Sequence, residues 1–508
     1  MPITCSTRGT SSNATSPLST PPMRLPLPPA STKPVMSSFL IRSFCIVFFA
    51  NRFRRYCIGR ALQINDSVGE SLSCFVLPLI CRTPLFTELI NMSAARQVFE
   101  SITVDRAREL ILETAPKPTE TITLPLAQAV GFVTSCDIAA ANPLPTYTNS
   151  AMDGYAFRFE DVVGEQEIVL PIVGQSFAGA PCQQTNFEPR TCIEIATGAA
   201  MPEAFDTVIP FEKCDIDETA RTIRFQTASV KSCANVRYEG EQINQGEVIV
   251  SAGTRLTAQH LALLAAAGVS EVVVYPRVRV SLLTTGSELA EPGQPLGRFQ
   301  TYNSNGVMLE TMLKAMNCEV ESVSMQDSAE VIAQKIAELL ERSDMLLLTG
   351  GAGNGKFDLS QTQLNAMGSM QPWSINMRPG RPMRFGQISG KPVFVLPGNP
   401  VAAFVSFLEF ARGALLQMQG LTEGLWLKQY PARLVNDIKK KPGRAEFMRA
   451  RIVSFEDGAP VVEPLLNQSS ADLVMLTQAE VILCLDHDSD RYAKGSIVPI
   501  QYLRDAGL

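Results

Sequence analysis

The sequence has little histidine, and its cysteines are not paired at metal-ligand spacing. Only two histidines occur among 508 residues, and none of the twelve cysteines forms a CxxC pair. Zinc-binding modules and disulfide-stapled small domains both depend on such spacings. The scarcity of imidazole also makes histidine a poor candidate for proton transfer. Carboxylates or a bound metal must therefore do any acid or base chemistry.

The sequence also lacks early acidic residues, and the apolar run in this early part of the chain is short. No Asp or Glu precedes Asp66, and residues 1–92 hold nine Lys and Arg against three acids, a net +6 that leaves −12 for residues 93–508. The most apolar run, Phe39–Ala50, has twelve residues and contains Arg42. It is too short to span a bilayer and does not have the position of a secretory signal. The acidic body argues against broad nucleic-acid binding.

Residues 1–92 differ in composition from the rest of the chain. Met1–Pro34 is rich in Ser, Thr and Pro, which predicts disorder. This leader is either an organellar transit segment or the product of a translation start placed too far upstream, and the lack of an amphipathic helix favours the second. We therefore expect a cytoplasmic protein, and we expect a chain that begins at Met92 to fold like the full chain.

Three apolar runs in the second half of the chain end in glycine-rich polar turns, namely Leu282–Glu288, Met345–Gly351 and Val393–Pro400. In an open parallel sheet such turns collect at the carboxyl ends of the strands, where backbone N–H groups can bind an anion. Any one of them could serve only to tighten a turn, but three together predict a phosphate-bearing ligand. The candidate ligand-binding residues are Gly286, Gly350, Gly351, Pro397, Gly398, Asn399 and Pro400.

The segments between these turns have helical spacing. Asn305 and Ser328 are candidate caps of two amphipathic helices, and Val401–Gln419 reads as an almost wholly buried helix. Alternating strands and helices predict a doubly wound α/β domain, which we place at residues 276–425.

Short strand-like runs dominate the chain on both sides of this domain, and we expect β-rich N-terminal and C-terminal domains, the latter at residues 426–508. A helix is predicted at Ala94–Glu113. The predicted strands are Thr121–Leu124, Glu167–Val173, Cys192–Ala196, Thr207–Phe211, Arg221–Gln226, Glu247–Val250, Arg433–Asp437, Glu446–Val453, Val461–Pro464, Val481–Leu485 and Ile497–Tyr502.

Charged residues fall where the α/β domain would bind a ligand. Glu288, Asp327 and Asp358 each follow a predicted strand, and three carboxylates at one sheet edge could hold Mg²⁺ against a phosphate. Arg378 and Arg381 lie on a proline-rich loop from which their guanidinium groups could bind an oxyanion. Solvated loop acids and surface ion pairs are the ordinary alternatives for each residue alone.

At these residues the chain closely resembles the molybdopterin molybdenumtransferase family, which comprises the bacterial MoeA enzymes and the E domains of their plant counterpart and of gephyrin. The resemblance runs from about Ala94 to the C-terminus. Ser150–Ala156 matches the family's SAMDGYA, Thr197–Ala199 with Pro202 matches TGAxxP, and Leu396–Val401 matches LPGNPV. Because these motifs occur in the family's order, a chance match is remote.

The resemblance implies an elongated, four-part subunit that forms a homodimer. Its parts would be a linker and dimerisation domain at 93–150 and 234–275, with the N-terminal helix packed on the α/β domain, a β-rich domain at 151–233, and the two domains given above. The family inserts molybdate into adenylylated molybdopterin with Mg²⁺ and releases AMP. An adenylyltransferase acting upstream and the molybdoenzymes downstream are the implied partners.

The resemblance also implies roles for individual residues. Ser150, Asp153 and Thr197 would line the site from the β-rich domain, and Arg378 and Arg381 would bind anions. The catalytic and metal-handling acids would be Glu288, Asp327 and Asp358, together with Asp153 as a catalytic group.

Several positions depart from the family's motifs, and they leave two functions open. Gln242 and Ser287 stand where the family has carboxylates, Gly353 replaces a serine, and Ser374 replaces a lysine. The first function is an active molybdenumtransferase. The second is a non-catalytic relative that binds molybdopterin or a partner as a carrier or scaffold. The retained acids favour the first.

Overall fold

A computed structural model of the chain describes residues 100–325, 329–350, 361–371 and 373–507. The predictions for residues 1–92, for the Ser328 cap and for the departure at Gly353 fall outside these residues. The predicted site residues Asp327, Gly351 and Asp358 also lie outside them.

The N-terminal half of the described chain is rich in strands. Strands β8, β5, β7, β6, β10 and β9 form one sheet in that order, whereas β2–β13, β3–β12 and β4–β11 pair the two ends of this half. The elements are β1 (Glu100–Ile102), α1 (Val104–Thr114), β2 (Ile122–Pro125), β3 (Ile138–Ala139), β4 (Asn149–Ser150), β5 (Gly154–Phe157), β6 (Glu167–Ser176), β7 (Cys192–Ile195), β8 (Thr207–Pro210), β9 (Asp215–Asp217), β10 (Thr222–Gln226), β11 (Val236–Arg237), β12 (Val248–Val250), α2 (Ala258–Ala266) and β13 (Glu271–Val274).

The helix predicted at Ala94–Glu113 is wrong at residues 100–102, and residues 94–99 lie outside the described residues. Residues 100–102 form β1, which pairs in parallel with residues 373–375. Thr103 then caps α1 by accepting a hydrogen bond from the N–H group of Arg106. Helical periodicity continued through this boundary, but a tertiary strand pairing determines the backbone there. Buried residues of α1 pack into the core that the α/β domain shares.

The α/β domain is a six-stranded sheet in the order β17, β14, β18, β23, β22 and β19. Its first four strands are parallel, and β22 pairs antiparallel with both β23 and β19. The elements are β14 (Arg279–Thr285), β15 (Leu289–Ala290), β16 (Thr301–Tyr302), α3 (Ser304–Ala315), β17 (Glu319–Met325), α4 (Ala329–Arg342), β18 (Met345–Thr349), α5 (Gln361–Met367), β19 (Gly368–Met370), β20 (Trp373–Ile375), β21 (Met377–Arg378), β22 (Arg384–Ile388), β23 (Lys391–Leu396), α6 (Pro400–Ser406), a π-helical turn (Phe407–Ala411) and α7 (Arg412–Met418).

Helices cover both faces of this sheet, as the doubly wound prediction requires. Leu347 packs in a core cluster with residues of α1, α3 and α6, whereas its neighbours Leu346 and Leu348 pack with residues of α4. Alternate side chains of β18 therefore point to opposite apolar layers. The α/β fold predicted from the sequence is confirmed.

Residues 400–418 form one continuous helix through the core. This helix is long and apolar enough to cross a membrane, because an 18-residue stretch of it has a mean hydropathy of 1.4. However, 94% of that stretch is buried inside the protein. Pro400 occupies its first turn, where a missing N–H group costs nothing. The segment is the core helix that its all-round apolar character predicted.

The C-terminal region folds into a β-domain. Strands β26, β27, β24, β30 and β28 follow one another, and an additional β26–β28 pairing closes the sheet into a barrel, with β21 joined to β26. The elements are β24 (Tyr430–Leu434), β25 (Ile438–Lys439), β26 (Ala445–Glu456), β27 (Ala459–Pro464), α8 (Leu473–Thr477), β28 (Val481–Leu485), β29 (Arg491–Tyr492) and β30 (Ile497–Tyr502).

Candidate functional site

The three glycine-rich turns meet at one edge of the α/β sheet. Strands β14, β18 and β23 are adjacent and parallel, so their carboxyl ends lie side by side. Gly350 has a φ of +87°, and a Cβ added there would lie 2.1 Å from the carbonyl oxygen of Thr285. A Cβ on Gly398 would lie 3.9 Å from the Cα of Gly350. The close approach of these backbones explains why glycine occupies position 350.

An asparagine joins two of these turns, and it does so instead of capping a helix. The predicted cap at Asn305 is wrong, because α3 begins two residues earlier and Asn303 accepts the hydrogen bond from the N–H group of Gly306. Asn305 instead donates from Nδ2 to Thr349 Oγ1 at 2.9 Å and to the carbonyl oxygen of Gly398 at 2.8 Å. Helical spacing alone could not locate the cap to within two residues.

Glu288 lies on the turn that follows β14. Its side chain is exposed and folds back over the turn, so that Oε2 lies 2.9 Å from the position that a Cβ on Gly286 would take. The other two acids of the predicted metal site are outside the described residues. Within the described ranges, no group of three or more His, Cys, Asp or Glu side chains is arranged to hold a metal ion. The metal site therefore stays a prediction.

The loop that carries Arg378 and Arg381 packs against the core helix. A Cβ added at Gly380, whose φ is +111°, would lie 2.7 Å from Ser406 Oγ. Both arginines are exposed. Arg378 has a loose ion pair, with 3.8 Å between Nη1 and Glu446 Oε1, and its side chain remains 65% exposed. Exposed pairs at such a distance contribute little, so the guanidinium of Arg378 is accessible to an anion.

A turn of the C-terminal domain also contacts this edge of the sheet. Asn399 donates from Nδ2 to Ser470 Oγ at 3.1 Å, and the N–H group of Val401 donates to the carbonyl oxygen of Ser470 at 3.0 Å. The structure places this turn directly against the Pro397–Pro400 segment.

Arg449 holds that turn in place. Its side chain is only 1% exposed and donates to the carbonyl oxygens of Asn467, Ser469 and Asp472 at 2.9 to 3.0 Å. Burial lowers the pKa of its guanidinium, although an arginine stays charged under any ordinary condition. No sequence motif pointed to Arg449. Arg449 lies two residues from Arg451 on the same strand, most of whose residues are exposed or half-buried, so nothing in the sequence distinguished it.

A second group of predicted site residues surrounds the end of β5. Asp153 accepts a hydrogen bond at Oδ1 from the N–H group of Thr197 at 2.7 Å. Ser150 is fully buried, and its main chain bonds to Gly198 and Ala199. The two motifs that contain these residues are thus neighbours in space, although they lie more than 40 positions apart. The carboxylate of Asp153 is exposed and anchored at one oxygen.

The segment that carries Gln242 borders the same group. The N–H group of Gln242 donates to the carbonyl oxygen of Leu144 at 3.0 Å, and that of Glu239 donates to Thr148 Oγ1 at 3.2 Å. Gln242 itself is exposed. Of the other departures, Ser287 lies in the turn beside Glu288, and Ser374 lies on β20 with its Oγ 3.2 Å from Ser101 Oγ.

The predicted residues therefore form two groups on different sheets. The first comprises Glu288, Asn399, the arginine loop and the glycine turns at the edge of the α/β sheet. The second comprises Ser150, Asp153 and Thr197 beside the sheet of β5, β7 and β8.

Known protein families match the parts of this chain that contain the two groups of residues. Residues 102–268 match the MoeA N-terminal region (domain I and II), residues 281–417 match the probable molybdopterin binding domain, and residues 431–503 match the MoeA C-terminal region (domain IV). The second match contains the three glycine turns, and the first contains Asp153 and Thr197.

Individual relatives match this chain over most of their own length. The molybdopterin molybdenumtransferase of Haemophilus influenzae is 32% identical over 401 residues, which cover 79% of this chain and 98% of that protein. Molybdopterin molybdenumtransferase 2 of Mycobacterium tuberculosis is 34% identical over 345 residues, covering 65% and 82%. The crystal structure of the molybdopterin biosynthesis moeA protein from Pyrococcus horikoshii superimposes with a TM-score of 0.66 at 26% identity and covers 79% of this chain and 100% of that one. The chain belongs to the molybdopterin molybdenumtransferase family, the MoeA-type transferases of molybdenum cofactor biosynthesis.

Proposed function

We propose that this protein inserts molybdate into adenylylated molybdopterin and releases AMP. The observation that carries the proposal is the convergence of the Gly286, Gly350 and Gly398 turns at one sheet edge. Closely packed backbones in such turns can approach a phosphate without side chains intervening. The amino end of the long core helix lies at the same edge and contributes a positive dipole.

In this proposal, cationic side chains bind the anions and acidic side chains bind the metal ion. Arg378 and Arg381 are exposed beside the core helix and would bind molybdate or a phosphate oxygen. Glu288 suits a hard cation, because its exposed carboxylate folds over the Gly286 turn, and Asp327 and Asp358 would complete the set. Bound there, Mg²⁺ would neutralise charge on the phosphate oxygens and lower the barrier to cleavage.

We propose further that a homodimer completes the site. Both residue groups carry exposed apolar side chains: Tyr147, Met152 and Tyr238 are 40 to 46% exposed near Asp153, and Phe299 is 85% exposed in the loop after Glu288. Apolar surface beside polar groups is typical of protein interfaces. A second subunit would bury it and bring Asp153 to the α/β edge. A cytoplasmic location, and partnership with an upstream adenylyltransferase and with molybdoenzymes, belong to the same proposal.

The test is the release of AMP from adenylylated molybdopterin by Glu288→Gln. Loss of a cation ligand should slow release by at least about tenfold, and extra Mg²⁺ should partly restore the rate. Glu291→Gln is the matched control, since Glu291 accepts a hydrogen bond from Asn303 and has no proposed role in catalysis. Equal rates for the wild type and Glu288→Gln would remove Glu288 from the mechanism.

The carrier function is the second candidate, and the substitutions at Gln242 and Ser287 favour it. They remove a carboxylate from each residue group, which should weaken Mg²⁺ binding while the arginines still attract anions. We expect slow AMP release that increases when Gln242→Glu and Ser287→Asp are combined. If neither protein cleaves the substrate but both bind it, the carrier function is correct. A fast wild type that gains nothing from the two acids would contradict the weakened site.

A further inference from the structure

Asn305 has one polar atom without a hydrogen-bond partner in the part of the chain that the structure describes. The carbonyl oxygen of Gly398 can only accept a hydrogen bond, so the amide atom that faces it is Nδ2, and the orientation of the amide follows. The two amide hydrogens are used on Gly398 and on Thr349 Oγ1. Oδ1 is buried and has no hydrogen-bond partner among the residues that the structure describes.

The neighbouring Asn303 shows what a purely structural asparagine looks like here. Its Oδ1 accepts from the N–H group of Gly306 at 2.9 Å, and its Nδ2 donates to Thr284 Oγ1 at 2.9 Å and to Glu291 Oε1 at 3.1 Å. All its polar atoms are therefore paired. A buried acceptor without a donor is unfavourable, and native proteins retain one where a ligand or water supplies the donor.

The position of this acceptor restricts what can bind to it. Oδ1 belongs to the same amide group that joins the Thr349 strand end to the Gly398 turn, so it lies at the predicted ligand edge. A carbonyl oxygen requires an N–H or O–H donor. Ionised phosphate and molybdate present oxygen acceptors and cannot satisfy it. The ring of a pterin carries N–H donors.

We propose that Asn305 is a ligand-binding residue whose Oδ1 accepts a hydrogen bond from the pterin ring of the substrate. This inference rests on the proposed function for the identity of the ligand. It also orients the ligand: the heterocycle lies at Asn305, the phosphate lies at the neighbouring glycine turns, and molybdate lies toward the arginine loop. Asn305 thereby selects for a pterin over an anion alone.

The experiment compares three proteins, the wild type, Asn305→Ala and Asn303→Ala, and three probes, molybdopterin, AMP and molybdate. Asn305→Ala should weaken molybdopterin binding by about tenfold and leave AMP and molybdate within about twofold. Asn303→Ala should lower the melting temperature through loss of the helix cap and leave all three affinities within about twofold. If Asn305→Ala does not fold, Asn305→Ser replaces it, because a serine hydroxyl is too short to take the place of Oδ1.

Each other outcome overturns the inference. Unchanged molybdopterin binding in Asn305→Ala shows that Oδ1 is not used. A parallel loss of molybdopterin and molybdate affinity shows that Asn305 only tethers the turns, and a selective loss of AMP affinity assigns the acceptor to adenine. Failure of the wild type to bind molybdopterin would instead refute the proposed function, and the inference with it.

Discussion

Replacing Arg449 with methionine should destabilise the protein through a single buried group. The guanidinium is 1% exposed and makes three hydrogen bonds to the carbonyl oxygens of the 467–472 turn. Methionine fills a similar volume but donates nothing, so the substitution isolates the loss of these hydrogen bonds from the creation of a cavity.

The magnitude follows from the number and type of bonds. Hydrogen bonds to a charged group contribute about 1.5 to 3 kcal/mol each. The three acceptors lie in a turn whose residues are exposed or half-buried, so water can replace part of what is lost. We therefore expect the free energy of unfolding to fall by about 3 to 5 kcal/mol, measured by urea denaturation.

Arg451→Met is a matched control on the same strand. Arg451 is 57% exposed on its side chain and pairs with Glu463 at 2.7 Å, so its loss should cost no more than about 1 kcal/mol. Arg449→Met should also weaken molybdopterin binding, because the turn it holds supports Asn399. A change in unfolding free energy below about 1 kcal/mol for Arg449→Met, or equal changes for the two variants, would refute this reasoning.

Two further predictions concern the backbone and a buried acid. Gly350→Ala should lower the free energy of unfolding by about 2 to 4 kcal/mol, because a Cβ there would meet Thr285, whereas Gly398→Ala should cost less than about 1 kcal/mol; equal costs in urea denaturation would contradict the close packing. Glu409 is fully buried beside Arg108, and burial raises the pKa of its carboxyl group. The folded state therefore holds this proton to a higher pH than the unfolded state does. For that reason the free energy of unfolding of the wild type, relative to that of Glu409→Gln, should fall as pH rises above about 4.3. If the wild type instead gains stability over the variant as pH rises, the ion pair with Arg108 outweighs burial.

The sequence alone determined many of the strands of the β-rich domains and the alternation of strands and helices in the α/β domain. The strand predicted at Val481–Leu485 has those bounds in the structure, and the one predicted at Ile497–Tyr502 does as well. Alternation and apolar runs are local properties, so they can be recognised without knowledge of the fold. The motif order likewise identified the family, and the three glycine turns predicted the sheet edge at which we propose that the ligand binds. The local signal was insufficient at α2, which was not predicted, and at β1, where pairing with residues 373–375 replaces a helix.

Only the tertiary structure decided how the polar groups of the site are joined. Asn305 lies 93 positions from Gly398, and Asn399 lies 71 positions from Ser470. Arg449 donates to carbonyl groups in a turn about 20 residues farther along the chain. Such hydrogen bonds depend on how separate elements pack, and a linear sequence carries no periodic signal for them. The residue types of the candidate site were therefore predicted from the chain, whereas the pairing of their individual atoms was set by folding.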